Sequence, residues 1–131
     1  MIDNVILNGE TRAIILRNDF EKDGIHFFTP NESSQQLGYM KRPKGHVIPP
    51  HEHREVVREI SKTQETLFVK SGIIQVNFYD DDHKLFSIKI LRKGDVVLLV
   101  SGGHGFEFLE EGEIIEVKQG PYLDKDDKVL L

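Results

Sequence analysis

Short runs of aliphatic, β-branched and aromatic residues recur along the chain, each closed by a polar or glycine-containing break. NVILN, RAIILR and IHFFTP come first, separated by Asn8-Gly9 and Asp23-Gly24. QQLGYMKR reads as a further strand. ETLFVKS and IIQVNFYD flank Gly72 as two strands joined by a tight turn, and KLFSIKIL follows a polar turn at Asp80 to His83. DVVLLVS, GFEFLE and EIIEVKQG complete the series, punctuated by Gly94, Gly102-Gly103 and Gly112. Turn signals spaced about ten residues apart predict an antiparallel sandwich or barrel. One segment departs from this rhythm. REVVREISKTQE carries Val56, Val57 and Ile60 at helical spacing, and its shortness leaves one or two helical turns or an ordered loop as its readings.

The strand period also assigns faces. On ETLFVKS the residues Glu65, Leu67 and Val69 share a side, so a carboxylate ends an aliphatic row. His104, Phe106 and Phe108 do the same on the strand after the Gly102-Gly103 turn. Glu107 falls on the opposite side, as an ordinary surface carboxylate would. On the last strand Glu116 and Lys118 alternate with Ile115 and Val117. If their side is interior they are candidates to line a pocket, and if exterior they are a solvated pair.

Composition narrows the function classes. A chain of 131 residues is one domain's worth, read here as N-terminal strands 1–40, a barrel core 41–120 and a tail 121–131. It has 38% hydrophobic and 30% charged residues, which predicts a globular domain. The net charge is −5, with acidic clusters at Asp80-Asp81-Asp82 and over 124–127, and KRPK is too short a basic run to predict a nucleic-acid surface. There is no cysteine, which excludes disulfides, thiolate catalysis and thiolate zinc sites. The N-terminus lacks the pattern of a signal peptide, and the longest apolar run, VVLLV, is too short to span a bilayer. These features predict a cytoplasmic protein without membrane or nucleic-acid partners.

Candidate chemistry gathers around histidine. GHVIPPHEH holds three of the six histidines within eight residues. On an extended segment His51 and His53 point to the same side, so two imidazoles can converge on one ion. Glu65 and His104, each at the polar end of an apolar row, are the candidate partners, and glycines on both sides give His104 room to approach an ion. Isolated histidines are more often solvated, and His26, His46 and His83 are read that way. Tyr39, Lys41 and Arg42 precede the histidine loop and are candidates for contacting a carboxylate or phosphate.

Two motifs together resemble the cupin family. Gly45, the five residues HVIPP and His51-Glu52-His53 match the first half of one motif, and Glu65, the six residues TLFVKS and Gly72 match its second half. GDVVLLVSGGHGF, from Gly94 to His104 and its followers, matches the second motif. The resemblance runs from about position 45 to 119. It implies an all-β, cupin-type double-stranded β-helix, a jelly-roll antiparallel barrel. It implies a divalent transition metal (Fe, Mn, Ni or Zn) held by His51, His53 and His104 with Glu65 as fourth ligand. The departures are an eleven-residue gap between His53 and Glu65, which brings Glu55 and Glu59 forward as alternative carboxylates, and a second motif with Val100-Ser101 in place of its proline.

The expectation is therefore a metal-binding cupin that acts on or binds a small polar molecule, a sugar or sugar-derived acid first. Isomerase, epimerase or dioxygenase chemistry would draw on Glu107, Glu116 or Lys118. The alternative is a non-catalytic ligand-binding or sensor cupin. The apolar N-terminal strands suggest pairing across a homodimer.

Overall fold

A computed structural model describes residues 1–124 and 128–131. Residues 125–127, in the C-terminal acidic cluster, lie outside the described residues. The described chain is all-β, with every predicted strand present and no α-helix among the described residues. No helix there is long and apolar enough to cross a membrane. The chain packs as two compact units, Met1–Phe20 with Lys62–Leu131, and Glu21–Ser61.

The first unit contains two antiparallel sheets. β1 (Ile2–Leu7), β2 (Glu10–Leu16), β8 (Val96–Leu99), β5 (Glu65–Ser71) and β10 (Glu113–Lys118) form one sheet in that spatial order. β7 (Leu85–Arg92), β6 (Ile73–Tyr79) and β9 (Gly103–Phe108) form the other. The sheets have free edges and do not close into the barrel expected from the sequence. The physical reason is that β10, β1, β7 and β9 each pair with a single neighbour, so no ladder joins one sheet to the next.

The pleat explains which residues meet between the sheets. Leu67 and Val69 on β5 alternate with outward Phe68 and Lys70. Ile74, Val76 and Phe78 form the buried row of β6. These join Val5, Ala13, Ile15, Val97, Leu99 and Leu91 in one core, with Phe86, Phe106 and Ile114 packed at its margin. Most of the stabilisation comes from this apolar burial, at about 25 cal/mol per Å² removed from water.

Turn chemistry sets the register. Asn8 and Gly9 both have positive φ, the requirement of a type I′ hairpin turn, and they connect β1 to β2 with Leu7 opposite Glu10. A bulge follows: Val5 pairs with Ala13 and Ile6 with Thr11, which leaves Arg12 as the extra residue. Between β7 and β8, Gly94 has φ +87 and no room for a side chain, because an added Cβ would lie 2.2 Å from Asn18 Oδ1. Beside it Asp95, only 5% exposed, accepts from the backbone N–H of Asn18 at 2.9 Å, the backbone N–H of Arg92 at 2.8 Å and Arg17 Nη1 at 3.0 Å.

The second unit holds the two-stranded ladder of β3 (Gly24–Phe27) and β4 (Gly38–Lys41). Gln36 orders the connection between them by donating to the carbonyls of Pro30 and Ser33 at 2.9 Å each. Residues 42–64 contain no strand or helix. The helical turns considered for REVVREISKTQE do not form. Val56, Val57 and Ile60 are exposed, so no buried face offsets the cost of nucleating so short a helix.

Three substitutions test this account by urea denaturation. Phe78→Ala, at a side chain 2% exposed in the core, should lower stability by about 3–5 kcal/mol. Val57→Ala, 96% exposed, should stay within about 0.5 kcal/mol of the parent. Asp95→Ala should cost about 1–3 kcal/mol, because it removes the buried acceptor shared by Arg17 and the backbone N–H groups of Asn18 and Arg92.

Candidate functional site

Five of the residues singled out in the sequence lie on the first unit. Glu65 faces inward beside the core row of β5, opposite Leu99 on β8 and Lys118 on β10. Lys118, Glu116 and Ile114 share the inward side of β10, in register with Glu65, Leu67 and Val69. By register Glu116 and Lys118 fall on the core side of β10, but Glu116 is exposed and Lys118 only half-buried, so neither is the buried polar group of the interior alternative. On β9, His104 pairs with Phe78 and Phe106 with Val76, so both face inward. The rings of His104 and Phe106 are 5.5 Å apart at an edge-to-face angle. Glu107 pairs with Gln75 on the outward side and is exposed.

His104 is the titratable group that this environment changes most plainly. Burial pushes its pKa below the ordinary 6.5. A backbone hydrogen bond at Gly102 and the negative charge of Glu116 oppose the shift, while Lys128 adds to it. At neutral pH His104 is a neutral imidazole.

The other candidate ligands lie in the second unit. His51 and His53 are exposed, with ring centroids 5.4 Å apart, and His51 Nδ1 is 2.8 Å from the Pro49 carbonyl oxygen. Glu55 and Glu59 are exposed in the same loop. His46 is exposed, as is His83 in the first unit, whereas His26 is half-buried with Nε2 2.8 Å from the Asp23 carbonyl oxygen. Lys41 is engaged by Glu21, which raises its pKa, so this candidate anion contact is spent on a surface ion pair. Among the described residues no group of three or more His, Asp or Glu side chains is placed to hold a metal ion.

A cleft of about 440 Å³ opens beside His104 in the first unit. Its polar walls include Glu10, Arg12, Lys62, Thr63, Asp81 and Ser101, over an apolar floor at Leu99 and Val100. Arg12 is the residue that sequence patterning missed. It is 8% exposed, on a strand whose other buried members are apolar. Regular alternation would group it with Ile14, but the bulge re-aims it toward the cleft. Its carbonyl accepts from Val100 N at 2.9 Å and Ser101 N at 3.3 Å, which fixes the loop that leads to His104. Its guanidinium reaches Asp81 from Nη2, at 3.1 and 3.3 Å. Asp81 is held there by the turn after β6, where Asp80 Oδ1 accepts from the N–H groups of Asp82 and Lys84, both at 2.9 Å. The available signal was an arginine inside the apolar run TRAIIL.

The depressed pKa of His104 has a definite consequence for stability. The folded chain binds this proton less readily than the unfolded chain does. The contribution of His104 is therefore intact above 6.5 and declines as pH falls below it. In chelator-containing buffer, His104→Asn should flatten the decline of the urea midpoint below that pH, and an unchanged slope would contradict the assignment. No protein-family model matches the chain, and neither a curated protein nor a solved structure matches it.

Proposed function

We propose that this domain binds a small polar molecule, of the sugar or sugar-derived acid class, in the cleft beside His104. One observation carries the reading: a buried guanidinium, Arg12, stands at the wall of an open cleft whose floor is apolar and whose other walls are hydroxyl-bearing or charged. A few convergent polar groups over an apolar base suit a ligand that needs orientation as well as burial. Thr63, Ser101 and neutral His104 exchange hydrogen bonds with hydroxyl groups, and Glu10 and Asp81 accept from them. The test is an amide chemical-shift titration of the full chain with D-glucose, D-gluconate and D-glucuronate. Saturable shifts should cluster at Ser101, Gly102, Gly103 and His104. Shifts confined to other surfaces, or none, remove the reading.

A second reading is that His51 and His53 bind a divalent transition metal, with Glu65 and His104 as the further ligands suggested by the cupin resemblance. The supporting observation is the orientation of His51. A ring whose Nδ1–H donates to a backbone carbonyl presents Nε2 for coordination, an arrangement common among metal-bound histidines. Two imidazoles alone make a weak site, and the absent third donor among the described residues counts against it. Elemental analysis of chain purified without chelator or nickel resin should give bound metal that His51→Ala and His53→Ala each remove. Substoichiometric metal that does not rise on titration eliminates this reading.

A further inference from the structure

Strand β2 is bracketed by two arginines with opposite fates. Arg17, just past its end, uses every guanidinium nitrogen: Nε donates to Asp3 at 2.9 Å, Nη2 lies 2.8 Å from Asp3, and Nη1 donates to Asp95 and to the Ile90 carbonyl. Arg12 is buried more deeply, yet all of its hydrogen bonds come from Nη2. Its Nε is buried without a partner among the described residues. Its Nη1 lies under Gly102, where an added Cβ would sit 2.8 Å away. A buried donor without an acceptor costs about 1–3 kcal/mol, and more when charged. Arg17 is what a structural arginine looks like in this fold. Arg12 retains a polarised donor set beside an open cleft.

We infer that Arg12 is the anchor for a carboxylate on the ligand, with Gly102 as the position that keeps its guanidinium approachable. The inference rests on the cleft-binding reading and deepens it from a polar ligand to an acid. A planar fork of N–H donors matches a carboxylate better than a hydroxyl. The charge balance of the walls separates a carboxylate from a phosphate. Arg12 and Lys62 supply two cations, Glu10 and Asp81 two carboxylates, and His104 is neutral near pH 7. A dianion would meet both wall carboxylates. A monoanion carrying hydroxyl groups uses Arg12 for its charge and the wall oxygens as acceptors. Asp81, 76% exposed and bound to Arg12 only through Nη2, competes with the incoming acid and tunes its affinity.

The test compares D-gluconate, D-glucose and inorganic phosphate on the full chain by amide shift titration. Gluconate should bind about tenfold or more tightly than glucose, and more tightly than phosphate. Arg12→Gln should abolish that preference. Because Arg12 is buried and its loss could disturb folding, Asp81→Asn supplies an independent arm at an exposed side chain. It should raise the affinity for gluconate relative to glucose severalfold. Equal affinity for gluconate and glucose, with shifts still at the cleft, overturns the anchor while the cleft reading stands. Phosphate binding as tightly as gluconate overturns the carboxylate assignment. An Asp81→Asn variant with an unaltered preference for gluconate over glucose identifies Arg12 as a structural pin for the turn after β6. Absence of cleft shifts with every probe overturns both proposals.

Discussion

The Asp95 carboxylate is the constraint on which the rest of the first unit depends. It sits in the turn between β7 and β8, where the chain passes from the three-stranded sheet to the five-stranded one. One oxygen takes the N–H of Asn18, and the other takes Arg17 and the N–H of Arg92. Its own carbonyl accepts from Val69 N, and Val69 returns a bond through its carbonyl to Gly94 N. Through its carboxylate and its backbone carbonyl this one residue pins the end of β2, the end of β7, the start of β8 and the middle of β5. A buried charge is stabilising only when its partners are complete, and here they are supplied by backbone donors and a fully engaged arginine. Gly94 belongs to the same device, since any side chain there would displace Asn18.

The cleft follows from this arrangement at the opposite end of β2. With the strand fixed at Leu16 and paired to both β1 and β8, the extra residue at its start has one way to be accommodated. The bulge absorbs it, the Arg12 carbonyl binds the loop after β8, and the guanidinium turns toward the Asp80–His83 turn. Three irregularities thus meet at one place: a bulge, a glycine with positive φ at position 102 and a polar turn. The regular ladders around them are apolar and tightly packed. Irregular backbone placed against a rigid scaffold is the usual setting for recognition, because it frees side chains from the pleat.

Much of the architecture is legible in the sequence. All ten strands coincide with the apolar runs, and Asn8-Gly9 behaves as its hairpin chemistry requires. The inward faces of ETLFVKS and GHGFEF were correct, as was the outward placement of Glu107. Those successes share a cause, which is that the period of the pleat and the steric demands of turns act over a few residues. Two features were not legible. Closure into a barrel depends on pairing between distant edges, and the sheets remain open. The REVVREISKTQ loop had helical spacing but no surface on which to bury its valines.

The sequence by itself determined the strands, their turns and the polar ends of their apolar faces, including His104 beside its glycines. It also offered His51 and His53 as neighbours, and they are neighbours. Only the tertiary structure decided that His104 is partly buried beside Phe106, that Lys41 is held by Glu21, and that Arg12 lines the cleft. The reason is physical. A period-two pattern assigns a side to every residue only while the ladder is regular, and one bulged residue is enough to turn an arginine where the pattern would have put an isoleucine's neighbour.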